Sequence, residues 1–169
     1  MIRQKSGVYT IKRVLDKAVD TIVIILMAMI VIVVSIQVFS RYVFNNPLTW
    51  SEELARYLFV WIVFTASVVV FRENRHMSVD FFVSLFSDSI RKKLDVTVNL
   101  IVTVFLIVMI YTSPEILTVT MRQLSPTLNI PMAAIYCAFP AALLLMLAEL
   151  TFRVLFYFAN SIHEEGTQP

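Results

Sequence analysis

From Thr21 to Ser40 the chain carries no ionisable side chain. About 20 residues of α-helix rise about 30 Å, the thickness of a bilayer's hydrocarbon core. Three further runs, Tyr57 to Phe71, Val96 to Pro114 and Pro131 to Ala148, are also free of charge. The second reaches spanning length with the turn holding Leu54 and Ala55, and the fourth continues past Glu149 through Thr151 and Phe152. None shows the one-sided periodicity of a surface helix, as expected of helices in apolar surroundings on every side. Charged residues make up 15% of the 169 and hydrophobic ones 59%. A soluble domain carries about 25% charged residues, so this chain is built for lipid.

The expected fold is all-α and integral to the membrane: one domain of four transmembrane helices, over about 19–41, 51–71, 93–113 and 131–153, with tails at 1–18 and 160–169. The first run exceeds the apolar stretch of a secretory signal, and it ends in "QVFSRYVF" without a small-x-small cleavage site. It reads as an uncleaved anchor. Lys and Arg set the orientation. Arg3, Lys5, Lys12, Arg13 and Lys17 precede the first span, Arg72, Arg75, Arg91, Lys92 and Lys93 lie between the second and third, and Arg153 closes the fourth. The opposite side holds only Arg41, Arg56 and Arg122. Both termini are therefore expected inside.

The segment "NNPLTWSEELARYLFVW" then faces outward. Pro47 suits a helix start, Thr49 with Glu52 forms a capping box, and Glu52 stands four residues before Arg56 in the favoured direction. At 100° per residue Trp50, Leu54, Tyr57 and Trp61 share one stripe, with Glu52 and Arg56 on the other side. Capping and aromatic anchoring explain most of these residues; contact with a partner protein is the alternative, and spacing does not separate the two.

In the loop "RENRHMSVDFFVSLFSDSIRKK" a short apolar patch lies between basic clusters. It predicts an amphipathic helix over about 78–90 in the membrane interface, with Arg72, Arg75, Arg91, Lys92 and Lys93 near phospholipid headgroups. Asp88 or Ser89 would cap the third span, and His76, with no second His or Cys nearby, reads as a surface residue. In the fourth span Pro140 should kink the helix. Ala134, Ala138 and Ala142 recur at a spacing that lets another helix approach closely. Glu149 falls about 27 Å down the helix from Pro131, at the inner membrane edge, within reach of Arg153.

A net charge of +2, dispersed along the chain, speaks against nucleic acid as a partner. No set of nucleophile, base and metal ligands converges, so no enzyme and no cofactor is expected. Both glycines lie near the termini, and no charge sits at mid-membrane, so the broken helices and midplane site of a secondary transporter are missing too.

The blocks "SRYVFNNPLTWSEELARYLFVW", "RENRHMSVD" and "SPTLNIPMAAIYCAFPAALLLM" resemble, in order and spacing, the small integral-membrane subunit of tripartite ATP-independent periplasmic (TRAP) transporters. The resemblance covers most of Phe39 to Met146; "FTASVVV" departs from it where family members often have a glycine. It implies a system in the bacterial inner membrane. A periplasmic substrate-binding protein captures an organic acid, and a large membrane subunit carries it inward by an elevator motion driven by an ion gradient, typically sodium. The small subunit braces the large one and helps to receive the binding protein. Arg41, Trp50, Glu52, Glu53, Arg56 and Tyr57 become candidate partner contacts, and any sodium sites are expected in the large subunit. The acid is a C4-dicarboxylate or a sialic acid, with "PLTWSEELAR" inclining toward the latter. A stand-alone homo-oligomeric channel or exporter is the alternative, and a membrane anchor for an electron-transfer enzyme a more distant one.

Overall fold

A computed structural model of the chain describes the backbone of residues 2–73 and 88–165, and the side chains of 9–73 and 96–153. The helices are α1 (Ile2–Tyr42), α2 (Thr49–Glu73), α3 (Asp88–Thr120), α4 (Ala133–Tyr136) and α5 (Ala138–Glu165). Four stretches are long and apolar enough to cross a membrane: Tyr9–Tyr42, Thr49–Glu73, Val96–Thr120 and Ala133–Arg153. The all-α membrane fold read from the sequence is the fold observed.

Helix boundaries differ from the apolar runs in three places. The first tail is helical from Ile2, because Lys12, Asp16 and Asp20 find partners on α2 and α5. The third helix passes through Pro114 and ends at Thr120. A proline removes one backbone hydrogen bond and crowds the preceding turn, and here the helix absorbs it. Asp88 to Ile90 open α3, while residues 78–87 of the expected interfacial segment, with Arg75 and His76, lie outside the described residues. In the fourth span the interruption falls at Cys137, between α4 and α5, and not at Pro140. Pro140 has no N–H for the carbonyl four residues back, that of Tyr136, so the ladder opens one turn early.

Helix α1 lies along α2, α2 packs on α5, and α5 packs on α3. One apolar cluster joins Val19, Val68 and Ala142, and a second joins Leu106, Leu143 and Leu150. The rings of Phe64 and Phe139 meet edge to face at 5.5 Å, tying α2 to α5. Ala138 and Ala142 are buried at the centre of this packing, Pro140 is half-buried, and Ala134, across the break at Cys137, is exposed. The outer face of α1, through Ile24, Val31 and Phe39, and that of α3, through Leu100, Val104 and Val108, remain exposed and apolar.

Candidate functional site

Polar side chains gather at the two ends of the bundle. At one end the chain reverses from α1 into α2 through Asn45, whose φ of 50° is left-handed. The reversal is closed by the Asn46 N–H donating to the Ser40 carbonyl at 3.1 Å, and by the Ser40 hydroxyl donating back to the Asn46 carbonyl. Thr49 is already helical, and Ser51, fully buried, donates its hydroxyl to the Leu48 carbonyl at 2.7 Å.

From that start, Glu52 and Glu53 leave α2 about 100° apart and part company. Glu52 points outward and meets Arg56 at 3.8 Å, both side chains being 70% exposed. Such a pair contributes little, about 0.3–0.5 kcal/mol. Glu53 is 8% exposed and taken up within the chain. Its Oε2 accepts the backbone N–H of Thr127 at 2.8 Å and of Leu128 at 3.3 Å, while the buried Tyr57 hydroxyl donates to Oε1. The same hydroxyl lies 3.6 Å from the Met132 sulfur.

The loop that Glu53 holds is a small hairpin. Ser125 N–H donates to the Ile130 carbonyl and Met132 N–H to that of Gln123, each at 2.9 Å. The bridge between Leu124 and Pro131 lies between them, and Asn129, at φ 53°, turns the tip. Ser125 is 1% exposed, and its oxygen accepts the Ile130 N–H at 3.3 Å. Of the six residues expected to meet a partner, Arg41, Trp50, Glu52 and Arg56 stand on the surface, whereas Glu53 and Tyr57 are turned inward to hold this loop.

At the opposite end, ion pairs join three helices. Arg72 of α2 meets Asp20 at 2.7 Å and Asp16 at 3.5 Å on α1. The Arg72 guanidinium, which the sequence reading put near lipid headgroups, is thus engaged by two carboxylates within the protein. Lys12 of α1 meets Glu149 of α5 at 2.8 Å, and Arg153 lies 3.9 Å from the same carboxylate oxygen, as its spacing predicts. The Arg153 guanidinium also donates to the Phe71 carbonyl at 2.7 Å and the Arg72 carbonyl at 3.2 Å, and lies over the Phe71 ring. A cation placed there suits the unpaired carbonyls and negative pole of a helix's last turn. The backbones of Arg91, Lys92 and Lys93 belong to α3; their side chains lie outside the described residues.

A cavity of about 30 Å3 opens among these groups, lined by Lys12, Asp16, Val19, Val68, Arg72 and Glu149 with apolar residues of α5. That is room for a water molecule, whereas sites for small organic ligands run to about 300–1,000 Å3. Among the described residues no group of His, Cys, Asp and Glu could hold a metal ion.

Residues 30–157 match the family described as tripartite ATP-independent periplasmic transporters, DctQ component. The chain belongs to this family. It is a small membrane subunit of a TRAP transporter and a multi-pass protein of the bacterial inner membrane. It is similar to a putative TRAP transporter small permease protein of Haemophilus influenzae, 40% identical over 38% of this chain and 40% of the relative. The sialic acid TRAP transporter permease protein SiaT of the same species is 40% identical over 44% of this chain and 12% of its own length. The small permease protein SiaQ of a sialic acid TRAP transporter in Vibrio cholerae is 27% identical over 56% of this chain and 54% of its own. The chain thus spans less than two thirds of these relatives. In the TRAP small subunit the family match takes in Glu53, Tyr57, the 123–132 loop, Arg72, Glu149 and Arg153, while Lys12, Asp16 and Asp20 precede it.

Proposed function

We propose that this subunit braces a large, moving transport subunit and, with both termini in the cytoplasm, presents its Glu53 end to a periplasmic substrate-binding protein. The observation that carries this reading is the fastening of α2 at both polar ends, by Glu53 to the loop that leads into the fourth span and by Arg153 to that span itself. Elements joined at both ends resist relative movement, and the cavity at the Arg72 end, about 30 Å3 in volume, has no room for a carboxylate substrate. A carrier that moves needs a neighbour that does not. The apolar outer faces of α1 and α3 offer a large subunit and phospholipid the surface that such packing needs.

The cargo is an organic acid, with sialic acid the first to test, because two of the relatives carry that substrate in their names. Uptake is driven by sodium through sites in the large subunit. The test is co-purification and uptake together. Tagged subunit brings down a much larger membrane protein, and sodium-driven uptake of radiolabelled sialic acid is lost when either is deleted. Solute transport by the purified subunit alone in liposomes would overturn the bracing role and favour a stand-alone channel.

A further inference from the structure

Two adjacent glutamates with opposite surroundings raise the question of what each is for. Glu52 is solvated and pairs with Arg56, one turn along its own helix. Glu53 accepts from two consecutive backbone amides of a loop more than seventy residues away, and from Tyr57. The loop tip has no strand or helix of its own to fix it: residues 126–128 form a turn, and Pro126, Thr127 and Asn129 are exposed. Left alone, the Thr127 and Leu128 amides would face water, and the tip could sample many shapes. A carboxylate offers up to four acceptor positions, so Glu53 can take all three donors at once.

We propose that Glu53 is a positioning residue, whose buried carboxylate holds the 124–131 hairpin in one shape against the first turn of α2. Hairpin tip and helix turn together form the face on which the soluble binding protein settles. The proposal rests on the docking role given above. The character of the face favours this partner over the large subunit. It shows Glu52, Arg56, Thr127 and Asn129, charged or polar and exposed, with Trp50, Leu124 and Ile130 exposed among them. Transient contacts mix polar and apolar groups in this way, whereas permanent ones are more apolar and have the flanks of α1 and α3 to use. Glutamine at 53 keeps the size and its one oxygen can still take the two amides, but it is neutral and puts an N–H2 in place of the acceptor that faces the Tyr57 hydroxyl, so the charge-assisted bonds are lost.

The test uses the intact complex in membranes, with Cys137→Ala and the buried Ser125→Cys as a reporter of hairpin opening. Glu53→Gln should raise the rate of Ser125→Cys labelling by a membrane-impermeant maleimide about tenfold, the factor expected from losing a buried charged acceptor. Glu52→Gln should leave that rate unchanged. Tyr57→Phe, which keeps the ring and removes one donor, should give a smaller rise, and it serves if Glu53→Gln does not insert. Uptake and capture of the binding protein should fall with Glu53→Gln, while the large subunit co-purifies as before. Equal labelling in Glu53→Gln and its parent would overturn the positioning role. Faster labelling with unchanged uptake would leave the anchor standing and overturn the docking role beneath it.

Discussion

Asn45 and Asn129 bend the chain where a glycine would ordinarily stand. Each has positive φ, and each is followed two residues later by a proline, Pro47 and Pro131. Asparagine tolerates the left-handed region better than other residues with a Cβ, and the residue before a proline is pushed to an extended conformation. Together they make a sharp reversal into a straight exit. Asn129→Gly should leave thermal stability in detergent within error, whereas Asn129→Val should lower it by roughly 1–2 kcal/mol. The glutamate pair gives a second contrast. Glu52→Lys should leave the unfolding midpoint near that of the parent, while Glu53→Lys buries a cation against amide donors and should lower stability by about 3 kcal/mol. At this scale the sequence was half legible. The outward pair of Glu52 and Arg56 follows from their spacing. Glu53 stands four residues before Tyr57, the same interval, and that was the available sign that it shares the buried stripe. The amides of Thr127 and Leu128 were beyond reach, because helix geometry says nothing about a loop more than seventy residues on.

Among elements, spans were legible and helices were not. Freedom from charge marks what lipid can cover, and it picked out the four helices that are long and apolar enough to cross. Helix ends are set by contacts made outside the lipid, such as those of Lys12 and Asp16, which keep α1 helical ahead of its apolar run. The pairing of Glu149 with Arg153 could be read from their spacing, but Lys12 and the carbonyls of Phe71 and Arg72 could not. The ion pairs predict a measurable coupling. Arg72→Ala leaves Asp16 and Asp20 without their cation and should cost about 1–3 kcal/mol in thermal unfolding. Exchanging the charges, Arg72→Asp with Asp20→Arg, should recover part of that loss. A double exchange no better than Arg72→Ala alone would show that packing of the arginine stem, and not its charge, holds α1.

For the whole molecule, the distribution of Lys and Arg remains the argument for orientation. Thr127→Cys, in a Cys137→Ala background, should react with an impermeant reagent in intact cells, and Lys17→Cys only after the membrane is opened. The reverse pattern would turn the docking face toward the cytoplasm and end its proposed role.

The bonds that Arg153 makes to the end of α2 have a mechanical consequence. With Glu53 secured at the far end, the helix from there to Arg72 is a strut about 28 Å long. The fourth span cannot slip along it by a turn without breaking the Arg153 bonds and straining the loop that Glu53 holds. When the surrounding bilayer becomes thinner, hydrophobic mismatch must be met by leaning or by deforming the lipid, since internal shear is closed off. Polarised infrared spectra in short-chain lipids should therefore record a steeper helix tilt, with the guanidinium still seated on the carbonyls of Phe71 and Arg72.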